Sequence, residues 1–205
     1  MAVALAVPVL GGALAAGQGG TAPTVEQGQD PPRWVAFSAD VRLVFQDGTA
    51  HVGRFFRASD GSMREELAGP DGYRGIALHN IAQARYYEYL ENLGPSRDGW
   101  TARPMDLPAH GWRPPRLSLA SLTPLAAAYE GFEAYEESFP DGGRTVLVPA
   151  LDFFAVVRVM GRQTRTYSHI VLGEPSPDLF VPPPGAQVRW VSSPGGIVQR
   201  PRPRR

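Results

Sequence analysis

The sequence predicts a mainly β fold: a single antiparallel sheet with one or two short helices. Three observations predict it. Along Trp34–Gln46, Val35, Phe37, Ala39, Val41, Leu43 and Phe45 alternate with more polar residues, the period of a strand with one buried face. Asp-Gly turn signals recur at Asp47-Gly48, Asp60-Gly61, Asp71-Gly72 and Asp141-Gly142, so strands follow each other in an up-and-down meander. The 23 glycines and 21 prolines in 205 residues favour turns and short strands over long helices.

From the N-terminus, Met1–Ala16 is apolar and ends in small residues. It reads as the hydrophobic region and cleavage site of a secretory signal peptide, cut after Ala13, Ala15 or Ala16. It is too short for the ~20 residues that span a bilayer, so no transmembrane span is expected. Residues 17–32 form a Gly/Pro-rich linker, and residues 33–190 a single β domain. Its strands are expected at Trp34–Gln46, His51–Ala58, Met63–Leu67, Tyr73–His79, Arg85–Glu91 and Gly99–Met105, with a type I′ turn at Asp47-Gly48. Leu107–Pro124, with four prolines, is a crossing segment. A short helix is expected near Ser121–Tyr129, capped by Thr123 with Pro124 at its first position. Tyr129–Phe139 and Thr145–Val148 are further strands.

Phe153–Met160 is apolar at every position but Arg158. Alternation puts Phe153, Ala155, Val157 and Val159 on one face and Phe154, Val156, Arg158 and Met160 on the other, so both faces of this strand are covered. It pairs with Thr164–Leu172 across Gly161-Arg162-Gln163. Pro175 and Pro177 then end the ladder, and Leu179 and Phe180 are expected to tuck under the sheet. Residues 191–205 read as a disordered basic tail.

Composition excludes several classes of function. Twenty basic and twenty acidic residues balance, which removes the field expected of a nucleic-acid binder. Every basic residue is arginine, a bias of the source genome. Without cysteine there is no disulfide framework, thiolate metal site or thiol nucleophile. His51, His79, His110 and His169 show no metal-ligand spacing, and a site joining His79 to His169 needs distant strands to converge. Neither Ser62 nor Ser168 lies in a nucleophile elbow, and Glu65 and Glu66 point to opposite faces of one strand. Glu174 and Asp178 belong to the proline-rich strand exit. The expectation is therefore no enzyme, no cofactor and no metal. Tyr86, Tyr87, Tyr89, Trp100, Phe153 and Phe154 are the one concentration of aromatics suited to line a groove; ordinary sheet packing is the competing account.

Three stretches taken together resemble a broader group: FSADVRLVFQDGTAHVGRFFRASDGSMREELAGPDG, HNIAQARYYEYLE followed by GWTARPM, and the hairpin closing on IVLGEPSPDLFVPPPGAQV. Their order resembles uncharacterised exported bacterial proteins similar in outline to the lipoprotein-carrier superfamily of the periplasm. The resemblance spans Val35–Val188. It implies a curved, incompletely closed antiparallel sheet, a half-barrel, around an apolar cavity, a periplasmic or secreted location, and a non-catalytic protein holding a lipid or other apolar ligand. Tyr87, Tyr89, Phe154, Val156 and Met160 are the residues expected to contact it. The alternative is an envelope structural or interaction module with a self-filled core and a protein partner.

Overall fold

The computed structural model describes residues 33–70, 72–94, 98–105 and 117–191. The expected leader, the linker, the tail from residue 192 and most of the crossing segment, with His110, lie outside the described residues. Twelve strands make one sheet. They are β1 (Phe37–Phe45), β2 (Ala50–Arg57), β3 (Met63–Ala68), β4 (Arg74–Asn80), β5 (Arg85–Glu91), β6 (Gly99–Pro104), β7 (Thr123–Pro124), β8 (Tyr135–Ser138), β9 (Arg144–Val148), β10 (Phe154–Met160), β11 (Gln163–Leu172) and β12 (Val188–Trp190). Their order across the sheet is β12-β6-β5-β4-β3-β2-β1-β11-β10-β9-β8-β7. The first six form the meander that the turn spacing predicts. β11 returns to the free flank of β1, β12 runs parallel to β6, and the two ends do not meet. The sheet is open.

One turn design is used three times. Gly48 N–H donates to the Phe45 carbonyl and Phe45 N–H to that of Thr49; Ala58–Ser62 and Phe139–Gly143 repeat both bonds. In each, an aspartate (Asp47, Asp60, Asp141) accepts from the backbone N–H two residues on. Gly48, Gly61 and Gly142 have φ between 82° and 87°, whereas the aspartates before them do not enter the positive-φ region. This is a type I turn closed by a glycine bulge, not the type I′ turn expected at Asp47-Gly48.

The helix expected near Ser121–Tyr129 does not form. A single 3₁₀ turn, Leu119–Ser121, precedes it, capped by Ser118 Oγ rather than by Thr123. Thr123 and Pro124 instead pair with Glu136 and Tyr135. Ala126–Ala128 are exposed, so a helix there buries no apolar face, and Pro124 is tolerated because β7 is an edge. The strand expected over Tyr129–Phe139 is correspondingly shortened to Tyr135–Ser138, with only a Tyr129–Phe132 bridge before it. The other 3₁₀ turns are Pro149–Leu151 and Pro177–Phe180.

Directly opposed residues of neighbouring strands share a face, so the register assigns the two faces. One carries Phe37, Ala39, Val41 and Leu43, with Phe55 and Arg57 of β2, Met63, Glu65 and Leu67 of β3, His79 of β4, Tyr86 of β5, and Arg165 and Tyr167 of β11. This face is concave. β3 and β11 are three strand spacings apart, about 14 Å in a flat sheet, yet the Tyr167 hydroxyl lies 3.0 Å from the Glu65 carboxylate. Phe55 on β2 and Phe154 on β10, also three spacings apart, have ring centroids 5.1 Å from each other. Only a sheet curled towards this face brings them together.

The convex face has a second core. Ile76, Leu78, Tyr87, Trp100 and Ala102 are buried there, with Tyr89, Ala186 and Val188 packed against them. The chain after β11 supplies the cover. Arg64 donates to the Leu179 carbonyl and Asn80 to that of Phe180, holding the Pro177–Phe180 turn over β3 and β4. Phe180 is buried and Leu179 half-buried, as the strand-exit reading anticipates.

Candidate functional site

The floor of the concave face is a set of stacked rings. Phe37, Phe55, Phe154 and Tyr167 pack with centroid separations of 4.9–5.6 Å, mostly edge-to-face or tilted. Alternation along β1 and β2 delivers Phe37 and Phe55 to this face, and the β10–β11 hairpin delivers Phe154 and Tyr167. Phe37, Phe55 and Tyr167 are buried; Phe154 remains half-buried.

Charged groups stand at two sides of this floor. On one, Arg57, 2 % exposed, lies over the rings of Trp34, Phe37 and Phe154. Its guanidinium donates to the Leu151 and Val35 carbonyls and pairs with Asp152 at 3.0 Å. Burial pulls its pKa down to about 10, and Asp152 opposes that shift. Asp152 and Phe153 both adopt positive φ (54° and 57°), which neither residue type prefers. The Asp152 bonds to Arg57 and to Val35 N–H hold this corner.

On the other side, Glu65 accepts from the Tyr167 hydroxyl and pairs with Arg165 at 3.3 Å. Burial and the nearby carboxylate push the Tyr167 pKa up, so its hydroxyl stays protonated as a donor. Burial pulls Arg165 towards neutrality, but Glu65 and Tyr167 together outweigh it and leave its pKa raised. Directly across from Arg165, on the same face, is Arg158. Further along the sheet, Arg103 lies over the Tyr86 ring, and His79 meets that ring edge-on. Burial, aided by Arg103, lowers the His79 pKa to about 4.

The five residues expected to contact a ligand do not share a surface. Phe154 and Met160 face the concave side, Met160 41 % exposed near the hairpin tip. Val156, fully buried beside a bulge, is out of reach of any ligand. Tyr87 and Tyr89 lie on the convex face, Tyr87 inside the core there and Tyr89 half-buried against it. Among the wider aromatic set, Tyr86 is concave and Trp100 convex. His79 and His169 do not converge either: His169 sits exposed at the β1–β11 bulge, its Nδ1 2.9 Å from Asp40. Among the described residues no group of three or more His, Asp or Glu is arranged to hold a metal. Glu65 and Glu66 face opposite sides, as alternation requires.

No protein-family model matches the chain, and neither does any curated protein. The site therefore rests on its geometry. Sequence reasoning passed over Arg158, Arg165, Tyr167 and Glu65 as a group. A signal was present, since Arg158 interrupts an apolar run, but only the register shows that it meets Arg165. Among the described residues no helix is long and apolar enough to cross a membrane.

Proposed function

We propose that the protein is a non-catalytic, exported binding protein that holds a hydrophobic ligand, a lipid or acyl chain, against the concave face. The supporting observation is the curl of one sheet over an aromatic floor in which Phe154 is left partly uncovered, with Met160 exposed on the same face. Apolar surface on a concave face suits a chain-like ligand, and rings give it contact area at little entropic cost. The resemblance in element order to periplasmic lipoprotein carriers points the same way. Titration of a fluorescent fatty acid into the purified protein, with native mass spectrometry of material from its host, tests the reading. Saturable binding, weakened in Phe154→Ala, is expected; no saturable binding and no co-purifying apolar ligand overturns it.

A second reading is an envelope interaction module with a self-filled core. The close ring packing of Phe37, Phe55 and Tyr167 favours it. Under that reading Phe154→Ala lowers stability and no chain-like ligand binds.

A further inference from the structure

We propose that Arg158 and Arg165 form a site for the carboxylate headgroup of a single-chain amphiphile, with its chain lying over the aromatic floor. The inference rests on the binding-protein reading and names the ligand class. Arg158 and Arg165 are directly opposed on β10 and β11, with side chains on the concave face. Like charges in that relation repel, and sequences avoid them unless something compensates. Arg165 has its counter-charge in Glu65. Among the described residues Arg158 has none, and its buried Nε has no hydrogen-bond partner there. A buried donor left unpaired destabilises the fold, and native proteins rarely keep one without a use for it.

The surroundings select the ligand. Of the two facing guanidinium groups only Arg165 has a carboxylate, Glu65, so among the described residues the pair carries one positive charge in excess, which a singly charged anion neutralises. Thr145, buried and directly opposite Arg158 on β9, places a hydroxyl on its other flank. A guanidinium presents donors in a planar fork that fits a carboxylate. Tyr167 follows Arg165 by two residues on the same face and belongs to the ring cluster, so a headgroup at the arginines sets its chain beside Phe154 and Phe55.

The test compares dodecanoate with 1-dodecanol, each displacing a neutral fluorescent apolar probe from the full-length protein. Wild type is expected to bind dodecanoate at least about tenfold tighter than the alcohol, the strength of one charge-assisted contact. Arg158→Met is expected to bind both equally while keeping wild-type affinity for the alcohol, which also shows that the variant is folded. Arg158→Lys keeps the charge and is expected to retain part of the preference. Equal binding of acid and alcohol by wild type overturns the headgroup site and leaves the binding-protein reading standing. A preference that survives in Arg158→Met overturns the role of Arg158. Binding of neither ligand overturns both readings.

Discussion

The Glu65 carboxylate on β3 accepts a hydrogen bond of 3.0 Å from the Tyr167 hydroxyl on β11, although β2 and β1 lie between them. The bond exists because the sheet curls, and it in turn fixes the curl. Tyr167→Phe keeps the ring packing and removes this bond together with the hydroxyl's contact with Arg165. It is expected to cost about 1 kcal/mol, whereas Glu65→Ala, which strands Arg165, costs about 3 kcal/mol. Urea unfolding of the two variants checks the ranking.

Gly53 on β2 lies directly opposite Leu67 on β3. A Cβ there would run into the backbone carbonyl of Glu66, which cannot move aside as a flexible side chain does. Gly53→Ala is expected to destabilise the protein by about 2 kcal/mol or more. Because Gly53 faces the concavity between Val41 and Leu67, the same substitution perturbs the curl. A shift of the near-ultraviolet circular dichroism signal reports it.

The depressed His79 pKa makes stability depend on pH. The folded value is about 4 against 6.5 for an unperturbed histidine. Between those values the unfolded chain binds more protons than the folded one, so stability is fully present above pH 6.5 and lost as pH falls towards 4. The loss attributable to this residue is about 3 kcal/mol. His79→Phe, which preserves the contact with Tyr86, is expected to flatten the profile by that amount. Urea midpoints of both proteins at pH 7.5 and 4.5 provide the comparison; equal acid sensitivity refutes the assignment.

Phe180 anchors the segment that roofs the convex core. Phe180→Ala is expected to cost about 3 kcal/mol by leaving a cavity. The Pro177–Trp190 segment then loosens before the rest of the fold. Limited proteolysis is expected to cut the variant after β11 at protease concentrations that leave wild type intact.

The sequence made the meander legible because alternation and Asp-Gly turns are local signals. Phe37, Ala39, Val41 and Leu43 are buried as their spacing requires. Of the even-numbered set of the Phe153–Met160 run, Arg158 and Met160 are concave by register and the Phe154 ring reaches the concave rings, but a bulge between Ala155 and Val157 breaks the simple alternation that the sequence predicts. Phe153 itself falls outside the strand, in a positive-φ turn. What escaped is non-local. Tyr86 and Tyr87 are adjacent and both buried, one on each face, and nothing within RYYEYLE reveals that a C-terminal segment covers one of them. The Arg158–Arg165 encounter likewise depends on hairpin register, which the Gly161-Arg162 turn sets. Ser121–Tyr129 misled because a cap signal without an amphipathic stripe does not hold a helix in water.

The linear strand order leaves two rims. One rim is the three-residue β12 and the other the two-residue β7, whose Pro124 has no amide hydrogen to offer. An incoming strand from a second copy finds almost no ladder to extend at either. A sheet left open in this way thus avoids templating fibrils of itself.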